Sequence, residues 1–193
     1  QSINTGAQNI FIGSNAGDAD NDGNYQIFIG CGSGLYMQGD TNIGLGFQAL
    51  RGSTTATNNT GTDNVAIGMY AGQVNTSGAQ NVFVGREAGK CVTSGTHNVF
   101  LGYRSGCNIT TGDANVIIGK ETSASSATAD AQLYIGCGTN FWLQGYAGSY
   151  DIKPGAGIKD CTNSVGTAGQ FLQSTGSTLV WAAAGGGGSG DFN

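Results

Sequence analysis

A short motif recurs along the chain and ends in glycine each time. It begins as N-I-F-I-G at 9–13, and its later copies keep two aliphatic residues around one middle residue. Successive terminal glycines lie 17, 16, 22, 17, 17, 17 and 17 residues apart. They are Gly13, Gly30, Gly46, Gly68, Gly85, Gly102, Gly119 and Gly136. A fixed period of this length is typical of a solenoid, in which each repeat stacks on its neighbour.

Within each motif the alternation of side chains predicts a short β-strand. The two flanking residues share one face, because successive residues of a strand point to opposite sides. We expect the aliphatic face to line the interior, with Val99 and Leu101 fully buried. Seventeen residues allow two short strands and two turns in each rung. The sequence therefore predicts an all-β fold, a parallel β-solenoid (β-roll) of about eight 17-residue rungs.

Two other positions of the repeat carry structural information. The glycine after each strand predicts a positive φ or a close approach of two backbones. Asparagine, or glutamine in two copies, precedes each strand, and stacked amides can form a hydrogen-bonded ladder. Asparagine also tolerates left-handed turns. A second motif of the A-G type follows most strands, as at Tyr70–Gly72 and Glu87–Gly89.

The middle position of the motif predicts an assembly. If the aliphatic face is interior, the middle residues form an apolar stripe outside, and such stripes mark interfaces. Closed cyclic association of parallel copies would bury it. The alternative is that the second motif or the C-terminal segment covers the stripe. The expected interface residues are Phe11, Phe28, Phe83, Phe100, Ile117 and Tyr134.

The chain divides into three predicted regions. Residues 1–139 carry the solenoid repeats, and residues 140–184 are expected to form a short β-rich C-terminal extension. Residues 185–193 begin with G-G-G-G-S-G, which is typical of a flexible linker.

Several stretches carry a family resemblance. D-N-V-A-I-G at 63–68 resembles the N-S-V-A-I-G head repeats of trimeric bacterial adhesins. The 17-residue spacing resembles bacteriophage tail-fibre proteins more closely. The stretches 131–145 and 166–181 are also similar to C-terminal segments of such fibres. The resemblance implies a left-handed β-roll, trimeric assembly and attachment to a host surface.

The expected function is therefore that of a structural and adhesive module of a viral tail fibre on the virion surface, with no enzymatic activity. Its expected partners are two further copies of itself, other fibre or virion proteins, and a glycan or protein receptor on the host. The first alternative is the head of a bacterial adhesin at the cell surface. An ice-binding or carbohydrate-active solenoid is the third reading, although threonine recurs only irregularly, at Thr76, Thr93 and Thr110.

Two segments are candidate binding sites. Asp18, Asp20 and Asp22 match the first half of a calcium loop, but Ile29 stands where the bidentate glutamate belongs. The same residue types are ordinary turn formers. The 22-residue spacing requires an insertion within 51–60. Solenoid insertions often bind ligands, although a merely tolerated loop is equally expected. The candidate receptor-loop residues are Arg51, Thr54, Thr55, Asn58 and Asn59.

The remaining chemistry points away from other classes. Seven Lys and Arg against 12 Asp and Glu give a net charge of −5, which disfavours nucleic-acid binding. No apolar run is long enough to span a bilayer. Apart from calcium, no cofactor is expected. His97 is alone, and five cysteines without a C-x-x-C favour buried free thiols. Cys91 and Cys107 lie almost one repeat apart, so a pairing between neighbouring rungs stays open.

Overall fold

The structure, a computed structural model, consists of β-strands and turns. It describes residues 6–18, 22–54, 59–145, 153–154, 170–174 and 179–183. Within these ranges there is no helix, and so none long and apolar enough to cross a membrane. Contacts divide the chain into two compact units, Gln1–Lys153 and Pro154–Asn193.

Eight short strands carry the eight copies of the motif and stack in parallel. Each residue pairs with its counterpart one repeat later, as in Ile10↔Ile27 and Phe83↔Phe100. The prediction of a parallel β-solenoid is confirmed, with about seven turns at a spacing of about 17 residues. The strands are β1 Ile10–Ile12, β2 Ile27–Ile29, β3 Ile43–Leu45, β4 Val65–Ile67, β5 Val82–Val84, β6 Val99–Leu101, β7 Val116–Ile118 and β8 Leu133–Cys137.

The interior of the coil holds the middle residues of the strands, not the aliphatic pairs. Phe28, Phe83 and Phe100 are fully buried, whereas Val99 and Leu101 are only half-buried. The predicted strand phase is therefore wrong. The physical reason is volume, because a ring can enter this thin coil only where glycine faces it. A Cβ built at Gly72 would lie 2.7 Å from the Phe83 ring.

The glycine after each strand is explained by the neighbouring rung. Gly85 has a φ of 131°, and a Cβ there would lie 2.5 Å from the carbonyl oxygen of Gly102. Both halves of the prediction, a positive φ and a close approach, are thus confirmed at this position. A side chain here would push adjacent rungs apart, so the position requires glycine.

The amides before the strands form the predicted ladder. Asn98 Nδ2 donates to Asn81 Oδ1 at 3.1 Å and to the carbonyl of Gly112 at 2.9 Å, and its own Oδ1 accepts from Asn115. Each amide is buried and hydrogen-bonded, as buried polar groups must be. The left-handed residue is the one before the asparagine, such as His97 with a φ of 58°. The ladder members are Asn42, Asn64, Asn81, Asn98, Asn115 and Gln132.

The regular coil ends where the chain turns back. β9, Asn140–Gly145, pairs antiparallel with β8 through a bulge at Ile135/Gly136, and β10, Lys153–Pro154, follows β9 in the same sheet. In the second unit, β11 Gln170–Ser174 and β12 Leu179–Ala183 form an antiparallel pair. The predicted glycine-rich linker, 185–193, lies outside the described residues.

Candidate interaction surface

The outward face of the parallel sheet carries two columns of aliphatic side chains, which we call the aliphatic face. Ile10 and Ile12 are 50% and 57% exposed, and Ile29 and Ile67 are also exposed. The flanking residues of the later strands are half-buried because they pack against the same columns in adjacent rungs. Parallel sheets are almost always covered on both faces, so this face is unusual for a lone chain.

This arrangement corrects the predicted interface residues. Five of the six, Phe28, Phe83, Phe100, Ile117 and Tyr134, are buried inside the single chain, and Phe11 is half-buried with its ring stacked on Phe28 at 5.5 Å. A residue already enclosed by its own chain has no surface to offer to a partner. The aliphatic face, assigned to the interior by the sequence, is the surface that remains.

Beside the aliphatic face, four cations converge on the corner that follows the strands. They are Arg86, Lys90, Arg104 and Lys120, and we call them the cationic corner. The Glu87 carboxylate lies 3.3 Å from Arg86 Nε, 4.0 Å from Lys90 Nζ and 3.5 Å from Arg104 Nε. Cys107, followed by Tyr103, raises the pKa of Arg104 above its already high ordinary value.

Two tyrosines steady the cations. Arg86 lies over the ring of Tyr103 at 5.8 Å, and Lys90 lies over the ring of Tyr70 at 5.2 Å. Such cation–π contacts restrict long side chains that would otherwise move freely in solvent.

The opposite corner, before the strands, carries carboxylates that serve the backbone. Asp40 Oδ1 accepts from the Asn24 amide at 2.7 Å, and Asp113 Oδ1 accepts from the Thr96 amide at 2.6 Å. Asp130 Oδ1 does the same for the Asp113 amide at 2.8 Å. These carboxylates link successive rungs, so the need to stack the rungs explains why aspartate occurs at these positions.

The insertion leaves the sheet intact. β3 and β4 keep full register across it, with Ile43 opposite Val65. Asn59 is fully buried, and its side chain bonds the Ser53 amide and carbonyl at 2.8 and 2.9 Å. It therefore closes the neck of the loop, which corrects its assignment as a receptor contact. Arg51 is half-buried and Thr54 is exposed, while Thr55 and Asn58 lie outside the described residues.

The calcium prediction stays a prediction. Asp18 and Asp22 are exposed, but Asp20 lies outside the described residues. Within the described part of the chain, no group of three or more His, Cys, Asp or Glu side chains is placed to hold a metal.

The described cysteines are free thiols, and three of them are exposed, which corrects their expected burial. Although Cys91 is exposed as a residue, partial desolvation of its thiol raises the pKa, and negative charge on Cys107 acts in the same direction. His97 is exposed, with Nδ1 3.0 Å from the Thr96 hydroxyl.

A cavity of about 340 Å³ opens at the C-terminal end of the coil. Phe141 and the buried Tyr134 line it, with ring centroids 4.7 Å apart, together with Ser123, Ser125 and Thr139. Glu121 also lines it and contacts Arg104 and Lys120, both at 3.9 Å. The cavity therefore adjoins the cationic corner, a juxtaposition that the sequence analysis missed.

Comparisons with known proteins identify no relative of this chain. No family model matches the chain, and neither the curated proteins nor the solved structures contain a match.

Proposed function

We propose that this chain is a structural and adhesive module of a viral tail fibre, assembled as a parallel homotrimer through the aliphatic face. The observation that carries the assembly is the pair of aliphatic columns on the outer side of the sheet. A patch of this kind on a soluble chain favours a protein partner. Equivalent rungs of identical chains present matching columns, and cyclic closure would cover all of them.

The repeat architecture supports a fibre role. Each rung contacts only its neighbours, so the coil extends in one direction and length is gained by adding repeats. Backbone bonds, the amide ladder and the bridging carboxylates all run along this axis. A shaft built in this way suits a surface projection better than a catalytic cleft, and the proposal assigns no catalysis.

Assembly can be tested with charges on the aliphatic face. Val84→Asp with Leu101→Asp should leave the chain folded but monomeric, because both side chains point out of their own coil. Ser94→Asp with Thr111→Asp adds the same charge at two exposed turn residues and should leave the trimer intact. Light scattering after size exclusion measures mass, and circular dichroism measures folding. A wild-type chain that stays monomeric at micromolar concentration would refute the trimer.

The location of the protein distinguishes a viral tail fibre from the head of a bacterial adhesin. Antibodies against the purified chain should label projections on virus particles by electron microscopy. Labelling of bacterial cell surfaces free of virus would instead support the adhesin-head alternative.

A further inference from the structure

Folding gathers positive charge that the sequence spreads out. Four of the seven Lys and Arg residues in the chain lie at one corner of three successive rungs, in a protein whose net charge is −5. Rungs lie about 4.8 Å apart, so Arg86 and Lys120, two rungs apart, are separated by about 10 Å along the coil. Their side chains are 55% and 66% exposed. The corner therefore presents a short row of accessible cations.

Two carboxylates, Glu87 and Glu121, contact the four cations and hold them in place without neutralising their positive charge. Glu87 is only 15% exposed and lies beneath Arg86, Lys90 and Arg104. Glu121 is 44% exposed and borders the cavity. Four cations and two carboxylates leave a net charge of +2, and the exposed groups are mainly cationic.

The cavity supplies the features that the row lacks. Half-buried Phe141, backed by the buried ring of Tyr134, forms its aromatic wall, and Ser123, Ser125 and Thr139 also line it. Concave sites with apolar walls and a few polar groups are the usual form of ligand sites. A volume of about 340 Å³ is at the lower end of that range, enough for one or two sugar rings.

We propose that the cationic corner and the adjoining cavity form one binding site for an acidic polysaccharide. A pyranose ring packs its C–H face on the ring of Phe141, and its hydroxyls bond the serines, Thr139 and Glu121. Carboxylate or sulfate groups on neighbouring sugars pair with Lys120, Arg104 and Arg86, with arginine offering two parallel donors. Duplex nucleic acid fits less well, because its continuous phosphate backbone needs a longer row of cations than these four and would leave the aromatic wall of the cavity unused.

The site gives the proposed adhesive module a receptor chemistry, so it rests on that function. Its test uses the full chain in its native assembly, with heparin as the sulfated probe and polygalacturonate as the carboxylated probe. Neutral dextran and duplex DNA are the comparison ligands. Binding to one or both acidic probes should weaken as salt rises, because salt screens exposed charges.

Three variants and a control sharpen the test. R86Q/K120Q should raise the Kd about tenfold, equivalent to about 1.4 kcal/mol. E121Q should tighten binding, since glutamine still hydrogen-bonds the sugar hydroxyls but no longer repels the acidic groups, and a merely structural role would not predict this sign. T139W should block the cavity. The control S94D/T111D lowers the net charge by the same two units at exposed turn residues outside the corner and should bind like the wild type.

The proposal is overturned if the wild type binds neither acidic probe at low salt, if R86Q/K120Q and S94D/T111D bind equally, or if DNA binds more tightly than both polysaccharides. Light scattering on R86Q/K120Q separates this failure from failure of the fibre proposal. An R86Q/K120Q trimer that has lost glycan binding supports the site. A wild-type trimer found on virions that binds no acidic glycan sinks the site and leaves the fibre role standing.

Discussion

Some rungs carry phenylalanine at the middle of the strand and others carry glycine or alanine there. These phenylalanine rungs and small-residue rungs fill the interior of the coil from opposite sides. In β5 and β6, Phe83 and Phe100 project inward, and the A-G motif across the coil supplies glycine. In β3 and β4 the middle residues are Gly44 and Ala66. After β3 the glycine of the second motif is replaced by Leu50, which is fully buried, whereas β4 keeps Gly72, where an added Cβ would lie 3.0 Å from the Leu50 side chain. The chain thus exchanges volume between the two sides of the coil.

This exchange of volume shows which side chains each side of the interior can accept. A Cβ at Gly106 would lie 2.5 Å from the Phe100 ring, so the far wall must be bare where a ring enters. Leu50 adopts a φ of 48°, a conformation that costs an ordinary L-residue about 1–2 kcal/mol. Filling the core outweighs that strain, because close packing dominates the energetics of a core this thin.

Truncating a ring should give the largest effect. Phe100→Ala removes a fully buried ring opposite Gly106, which has no side chain to fill the space. We expect a loss of about 3–5 kcal/mol in the free energy of unfolding. Urea denaturation followed by circular dichroism measures it. A loss below about 1 kcal/mol would mean that the ring does not support the coil.

Converting a small-residue rung into a phenylalanine rung tests the exchange itself. Ala66→Phe alone should overpack against Leu50 and cost about 1–3 kcal/mol. Leu50→Gly alone loses core volume but relieves its left-handed strain. The double variant should be more stable than the sum of the singles predicts, with a coupling energy of about 1–3 kcal/mol.

The same denaturation series measures all three proteins. As a control, Ala66→Phe can be combined with Leu45→Ala, whose side chain lies on the outer face and is half-buried. That pair should show additive losses. Equal coupling in both pairs would contradict a specific exchange between Leu50 and residue 66.

Much of the fold could be read from the sequence, but the strand phase could not. The period fixes the stacking, and recurring glycine and asparagine fix the backbone contacts and the ladder. All three residues of each strand are apolar, so their alternation assigns them to two faces but does not show which face is buried. The deciding signal was the joint change at Gly44, Ala66 and Leu50. This joint change indicates that the two sides of the interior touch, and it becomes visible only when the repeats are aligned with one another.

The candidate site was predictable only in part. Arg86, Tyr103 and Lys120 are 17 residues apart, so the period alone places them in one column. The cavity beside them depends on β9 folding back against β8, and no repeat encodes that return. Asn59 likewise needed the structure, because a polar residue in an insertion carries no sign that it is buried.

The smallest effect is expected on the aliphatic face, where it depends on assembly. Leu101 is half-buried, so Leu101→Ala should cost about 1 kcal/mol in a monomer, well below a core leucine. If three chains meet through this face, the lost contact appears three times, and thermal stability becomes dependent on protein concentration. Melting Leu101→Ala and wild type across a hundredfold range of concentration distinguishes the cases. A wild-type melting temperature that rises with concentration, together with a Leu101→Ala deficit well above about 1 kcal/mol per chain, supports assembly through Leu101. A melting temperature independent of concentration, with a deficit of about 1 kcal/mol, would leave the aliphatic face uncovered and contradict the proposed interface.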